Sequence, residues 1–467
     1  MHRRFTSVLP LALSLLVPAT AAGAPPNAAD PPLFPPEIAD PGPEFLPLHL
    51  AGSLWTRYEI RAGYAEHGLS HPRLHREGDY WVSRARVSLS TNPVDVGGES
   101  TVWGKFVPQA AYTFGENTGT APTVSDHPAL ALYEGYVGAG SPRYELQVGR
   151  FMLNYGDALV IGDLGWNEAA RSFNGGRLRL TPGSEPFYVD FIGTLISDGR
   201  ATSQAAFEGD TYFYGAYAGL GPLLASDIEL DAYLLVQTVV GSDVVLVDPA
   251  DATVTAAGDQ ESATDVTLGA RVKGKASIVD YRAEAGVQFG KSPVTPTLAL
   301  PSPNPRTKVG YQIDAEVGVT PIREFGVSLE GLLASGDDPA TADKNEGYNE
   351  LYPTSHKFLG FSDVMGPRTN VASAVLHLRG KPIEPLGVSL DVHYFSRLEP
   401  GADGRNGAAG VELDTNVAYA IGKGSSVRGM YAVFLPAEDY WELKATSPGV
   451  AGDPIHFFEL QFGYDFK

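Results

Sequence analysis

The last dozen residues restrict this chain more than any others. Phe457, Phe458, Leu460, Phe462, Tyr464 and Phe466 are threaded with Glu459, Gln461, Gly463 and Asp465, an apolar/polar dyad that runs to the C-terminus. Successive side chains of a strand point to opposite faces. The segment therefore turns one face to hydrocarbon and the other to water, as a strand of a membrane-spanning barrel must. Beyond the N-terminal segment no run approaches the roughly 18 apolar residues of a spanning helix. A chain that satisfies its backbone groups in lipid without helices does so by closing a sheet.

The other end agrees. Arg3 and Arg4 precede a short apolar run from Val8 to Val17, and Ala19-Thr20-Ala21 fits a signal peptidase site, with Ala22 to Ala24 as a competing position. Residues 1–24 are expected to be a cleaved secretory signal. The absence of cysteine excludes a thiol-linked lipid anchor and disulfide staples. Prolines recur from Pro25 to Pro47, removing backbone donors, so residues 25–47 are expected to form an extended periplasmic leader, with the barrel over 48–467. The aromatic closing strand resembles the signal read by the bacterial barrel-assembly machinery. That machinery and outer-membrane lipid are thus expected partners, and the cell outer membrane the expected location. The formal charge of -21 argues against nucleic acid, because phosphate contact needs clustered Lys and Arg.

Spanning strands with turn signals between them are predicted to begin near residues 50, 80, 99, 130, 143, 174, 186, 210, 228, 263, 278, 309, 325, 367, 387, 410, 426 and 456. The expected fold is all-β, an antiparallel up-and-down transmembrane barrel of 18 strands, and the even number returns both ends to the periplasm. Connections alternate. Those at Thr91 to Gly98, Gly140 to Pro142, Pro182 to Glu185 and Gly221 to Asp227 are short. Those at Ala62 to Asp79, Ala111 to Ala129, Leu153 to Phe173, Val239 to Ser262 and Gly336 to Gly366 are long. Short periplasmic turns alternating with long external loops are the habit of bacterial barrels.

Strand parity also sorts the charges. Leu54, Tyr58 and Ile60 oppose Arg57, Glu59 and Arg61; Ala85, Val87 and Leu89 oppose Arg84 and Arg86; Leu178 and Leu180 oppose Arg177 and Arg179. Leu268, Ala270 and Val272 oppose Arg271 and Lys273, and Ala283 and Ala285 oppose Arg282 and Glu284. Arginine on the lipid face costs about 2–4 kcal/mol at the midplane, so these cations are expected to line the lumen and favour anions. Glu59, Glu145, Glu284, Asp314, Glu316, Glu330, Asp391, Glu412 and Asp414 share that parity, so a wall network that neutralises the arginines is an equally physical role. Arg150 alone falls on the parity of Leu146 and Val148, which places it above the bilayer or beyond a bulge.

The most specific stretch runs from Gly149-Arg150 through Tyr155-Gly156-Asp157, Ile161-Gly162, Trp166-Asn167 and Arg171-Ser172-Phe173-Asn174 to Arg177. Leu351 to Gly360, with His356 and Lys357, and Gly410-Val411-Glu412-Leu413-Asp414 follow in order. These runs resemble the alginate export family of outer-membrane proteins. The resemblance implies an eighteen-stranded channel for polysaccharide or uronate-type anions with a basic constriction and passage-restricting loops, and a periplasmic export complex as a further partner. It marks Arg150, Asp157, Trp166, Asn167, Arg171, Phe173, His356 and Lys357 as loop residues of the motif. Two positions depart: Leu159 stands where a basic residue is usual, and Asn174 where an acidic one is. No cofactor, metal or catalytic constellation is expected, since Asp163 and Glu168 lack a nucleophile, base and orienter, and Ser335 to Asn345 lacks the spacing that wraps calcium. An anionic saccharide is the expected cargo. A general small-anion uptake porin and a surface adhesin or hydrolase are the competing readings.

Overall fold

The computed structural model describes residues 48–65, 67, 69, 78–114, 130–183, 187–198, 209–221, 228–247, 255–399, 407–437 and 452–466. The signal and leader segments lie outside the described residues. Eighteen strands form one wall: β1 (Leu48–Ala62), β2 (Gly78–Thr91), β3 (Ser100–Phe114), β4 (Leu130–Ser141), β5 (Tyr144–Phe151), β6 (Phe173–Leu180), β7 (Tyr188–Ser197), β8 (Thr211–Gly221) and β9 (Ile228–Val239). They continue as β10 (Ala263–Ala276), β11 (Val279–Ser292), β12 (Arg306–Ile322), β13 (Phe325–Ala334), β14 (Val371–Ile383), β15 (Leu386–Arg397), β16 (Gly407–Gly422), β17 (Ser425–Pro436) and β18 (Ile455–Phe466).

Each strand pairs antiparallel with the next. The ring shuts where β18 pairs β1, from Gly52 opposite Phe466 to Ala62 opposite His456. Closure is the only way a sheet leaves no unpaired edge in lipid. The sequence placed the strands well, the furthest displaced being the fourteenth, predicted near 367 and beginning at Val371.

The connections, short and long, carry structure that the sequence did not announce. β3 runs on to Phe114, four-residue strand Val94–Gly97 extends the turn between β2 and β3, and the loop after β9 folds into its own hairpin, Ser242–Val247 against Thr255–Gln260. The loop after β13 holds a two-residue strand, Lys344–Asn345, parallel to β12 and a 3-10 turn at Ser355–Lys357.

The dyad resolves into two faces. Leu54, Ile60, Trp81, Val87, Phe191, Leu234, Leu268, Val287, Ile313 and Phe462 are exposed, whereas Trp55, Arg57, Glu59, Arg84, Arg86, Asp190, Gln312 and Gln461 are buried. The inner face can be both polar and buried because two loops fold into the bore. The third loop, residues 152–172 between β5 and β6, leaves the wall where Gly149 adopts φ +136°; a Cβ there would stand 2.3 Å from the Gly135 carbonyl oxygen, so only glycine fits. It meets the seventh loop, residues 335–370 between β13 and β14. Gly162 N donates to Tyr352 O (2.8 Å), Tyr352 N to Val160 O (3.1 Å) and Thr354 N to Ala158 O (2.9 Å).

The face assignment has a direct test. Leu234→Arg on the outward row should cost about 2–4 kcal/mol, while Gln237→Arg, on the inward row of the same strand, should cost well under half of that. Denaturant unfolding in phospholipid vesicles measures both, and equal costs would contradict the assigned faces.

Candidate functional site: the loop-filled bore

The third and seventh loops carry backbone carbonyls into a space without regular partners, and buried carbonyls need donors. Wall side chains supply them. Arg57 Nη1 donates to Trp166 O (2.6 Å), Arg84 Nη1 to Gly165 O (3.0 Å) and Asn167 O (3.3 Å), and Gln109 Nε2 to Ala169 O (3.0 Å). Within the loops, Arg171 Nη1 donates to Gly162 O (3.1 Å) and Pro353 O (2.8 Å), joining the two. Arg368 donates to Leu159 O and, through Nε, to Gln312 Oε1 (2.9 Å). Leu159, where the resemblance implies a basic residue, is fully buried among Tyr64, Leu332, Phe358 and Leu359. A guanidinium reaches that spot nonetheless, from Arg368.

Trp166 is the hub of the third loop. Its Nε1 donates to Glu459 Oε2 (2.9 Å), its ring stacks on His356 (centroids 4.0 Å, 15° between planes), and the Arg57 guanidinium lies 4.3 Å from its centroid. His356 Nδ1 meets Asp363 Oδ1 at 3.0 Å. Phe173 packs edge-on against Tyr352, 5.4 Å between centroids. Asn167 closes a turn, accepting from Ala169 N (2.9 Å).

The predicted lining cations fall into two groups. Arg57, Arg61, Arg84, Arg86 and Arg271 point inward but are nearly sealed from solvent. Arg57 Nε pairs with Glu59 (2.5 Å); Arg61 Nε donates to Tyr80 OH (2.9 Å); Arg86 Nε donates to Gln109 Oε1 (2.7 Å) with its guanidinium 3.4 Å from the Tyr133 ring centroid. Arg271 bridges Asp157 of the third loop (2.7 Å) and Asp231 (2.8 Å). The second group keeps contact with water. Arg179 holds Asp190 with both Nε (2.7 Å) and Nη2 (2.8 Å), yet it and Lys273 each retain 31% of their side-chain surface. Arg177 pairs with Glu145 (2.6 Å), and Arg282 binds Asp314, Glu316 (2.8 Å) and Glu330 (2.7 Å). Lys273, Arg282 and Lys357 come together in one cleft on the short-turn side, with Lys275, Arg379 and Asp157 beside them.

The inward acids, which the sequence offered only as partners for the wall arginines, carry much of this. Glu459 lies on the inward parity of the closing strand and pairs with Arg428 (2.5 Å), so the dyad held its signal. Glu412 and Asp414 receive the seventh loop, accepting from Ser362 N (2.8 Å) and Phe361 N (3.0 Å), and only the fold could reveal those partners. Glu316, Glu330 and His377 converge within 4.8 Å. Both His377 nitrogens meet carboxylates, Asp391 at 2.8 Å and Glu330 at 3.1 Å, and Arg282 takes both glutamates, so these groups are committed to one another.

Arg150 turns outward, as its parity required. β4 runs past the end of β5, and Arg150 Nε donates to the Leu132 carbonyl (2.7 Å) beside a register shift at Val107/Pro108. Its Nη1 donates to Asn174 Oδ1 (3.0 Å). Where the resemblance implies an acid, Asn174 gives Arg150 a neutral hydrogen bond.

Two outcomes follow for the loop plug. Arg57→Met leaves Glu59 and Glu459 buried without that cation and should cost about 3–5 kcal/mol. It should also loosen the third loop, raising single-channel conductance in planar bilayers; unchanged conductance would mean that Arg57 does not hold the loop. Burial acts to raise the Asp157 carboxyl, but the hydrogen bond and charge of Arg271, with Lys357 and Lys273 adding, hold it well below the usual carboxylate range. A depressed folded pKa stabilises at and above the ordinary value of about 3.9 and is lost as pH falls below it toward the folded value. Conductance should therefore stay flat from neutral pH to about 5 and rise only in stronger acid, a rise that Asp157→Asn should show already at neutral pH.

The alginate export family model matches residues 47–432. No curated protein sequence matches the chain. Its fold is similar to OccAB4 of Acinetobacter baumannii (TM-score 0.59, 11% identity, covering 90% of this chain and 98% of that one). It is also similar to OpdK of Pseudomonas aeruginosa solved with vanillate (0.56, 13%, 90% and 98%) and a BenF-like porin of Pseudomonas fluorescens Pf-5 (0.57, 10%, 90% and 98%). With the family matched across most of its length and the wall closed by eighteen strands, this chain belongs to the alginate export family and is an outer-membrane β-barrel channel.

Proposed function

We propose that the channel passes an anionic saccharide of the uronate type, without catalysis, along a route bordered by Arg177, Arg179, Lys273 and Arg282. Arg57, Arg61, Arg84, Arg86 and Arg271 serve in this reading to hold the loops that narrow the bore. The observation that carries it is the short-turn cleft, where Lys273, Lys275, Arg282, Arg323, Lys357, Arg379 and Lys381 outnumber Asp157, Asp280, Glu316 and Glu324. Fixed cations in a narrow bore with low-dielectric walls raise the local concentration of anions, and guanidinium groups pair with carboxylates. A secretory signal over residues 1–24 and a periplasmic export complex belong to the same reading.

Uptake of small carboxylates is the second reading, favoured by the neighbour solved with vanillate. Reversal potentials and current block in planar bilayers separate the two. The wild type should be anion-selective, and the triple variant Lys273→Gln, Lys357→Gln, Arg379→Gln should lose most of that selectivity. Oligouronate should block at concentrations at least about tenfold below vanillate or acetate, a difference near 1.4 kcal/mol. Cation selectivity indifferent to the triple variant would end the anion reading; equal block by vanillate would move the cargo to small carboxylates.

A further inference from the structure

We propose that the outer wall holds one anionic membrane lipid with a phosphomonoester head group, its acyl chain in a glycine-floored trough across β6–β9 and its phosphate at Arg150 and Asn174. The wall's ladders define the place. One outward row runs Arg150, Asn174, Leu195, Tyr212, Thr238, each opposite the next on the neighbouring strand. The outward row beneath it runs Val148, Gly176, Gly193, Tyr214, Val236. Two adjacent glycines in that second row remove the side chains that elsewhere on the wall meet lipid. A Cβ at Gly193 would touch nothing within 4 Å, so the hollow is open rather than filled by a neighbour. The hollow has a volume of about 560 Å³, and Leu195, Tyr212 and Tyr214 stand around it.

The occupant follows from position and charge. This surface faces the bilayer, because Val148, Phe191, Tyr214 and Leu234 around it are exposed apolar or aromatic side chains on the outer face of an outer-membrane barrel. A methylene chain is what lies there to fill an apolar hollow, and burial stabilises it by about 25 cal/mol per Å². Arg150 sets the head group. Arg57, Arg177, Arg179, Arg271, Arg282 and Arg428 on the inner face are each matched to a carboxylate, but among the described residues Arg150 bonds only two neutral oxygens, those of Leu132 and Asn174, and its Nη2 meets no acceptor. It stands one residue before the loop end of β5, on the long-loop side. A cation on the lipid face is tolerated at the interface, at about 0–1 kcal/mol, and not at the midplane. An uncompensated guanidinium at that height, beside an amide N–H2 that meets no acceptor among the described residues, suits a phosphate of the external leaflet. Asn174 offers an amide and no charge, which leaves the cation uncancelled.

The test uses the full chain purified in neutral detergent and native mass spectrometry with added lipid A, a phosphorylated disaccharide lipid, phosphatidylcholine as the zwitterionic lipid control, and inorganic phosphate as competitor. Heat-modified gel mobility confirms folding of each variant. The wild type should retain one tightly bound lipid A, at least about tenfold tighter than phosphatidylcholine. Arg150→Gln should weaken lipid A by about tenfold and abolish the preference over phosphatidylcholine. Gly193→Leu, which fills the trough and leaves Arg150 and its bonds untouched, should weaken it comparably. Equal lipid A binding in wild type and both variants overturns the proposal. So does a Gly193→Leu variant that binds like wild type, or displacement by millimolar phosphate alone, since either reduces the feature to an ion contact. Channel selectivity does not enter, so this outcome is independent of the transport reading.

Discussion

The pairing of β18 with β1 is the constraint from which the rest follows. In hydrocarbon an unpaired amide or carbonyl has no water to turn to, so the sheet has to close on itself. Closure fixes the direction of every side chain. The same residues that make the last strand a dyad, Phe458 and Phe462 outward, Glu459 and Gln461 inward, assign Arg57 and Glu59 on the strand beside it to the interior. The charges inside are a consequence of wall chemistry before they are anything to do with cargo.

A bore of eighteen strands is too wide for wall side chains to fill, and narrowing it falls to the third and seventh loops. Irregular backbone brings a burden of its own, carbonyls and amides without ladder partners. This explains why so many inward arginines end on peptide oxygens of the loops, as Arg57 and Arg84 do on Trp166, Gly165 and Asn167, and why carboxylates such as Glu412 and Asp414 receive loop amides. One inventory of charge serves two ends, anchoring the plug and bordering what space remains. Exposure divides them: Arg57 and Arg61 are spent on the interior, while Arg179 and Lys273 still meet water.

The wall was legible because its periodicity is enforced at every residue; strand starts and the inward parity of Arg84, Arg177 and Arg271 come directly from the alternation. The plug was not, because its contacts join residues far apart in sequence with no periodic trace. Trp166 and His356 were visible as motif residues, yet their stacking depends on two loops meeting across the bore. Arg368 carried no signal at all, sitting in a loop without parity, though its guanidinium is what meets the buried carbonyl of Leu159. Arg150 was readable as an anomaly of parity; its partner, a carbonyl where β4 outruns β5, required the register.

A lumen so thoroughly ion-paired bears on how an anion would move through it. Arg282 already holds three carboxylates and Arg179 grips Asp190 with two parallel bonds, so a passing carboxylate meets cations whose attraction is partly cancelled by built-in acids. Full replacement of those acids would bind a polyanion too tightly to release it, whereas conduction needs sites favourable enough to enter and weak enough to leave. Within the proposed transport route the wall carboxylates therefore act as internal competitors. They also keep each guanidinium in place between encounters, sparing the side-chain ordering that an unpaired arginine would have to undergo at every step.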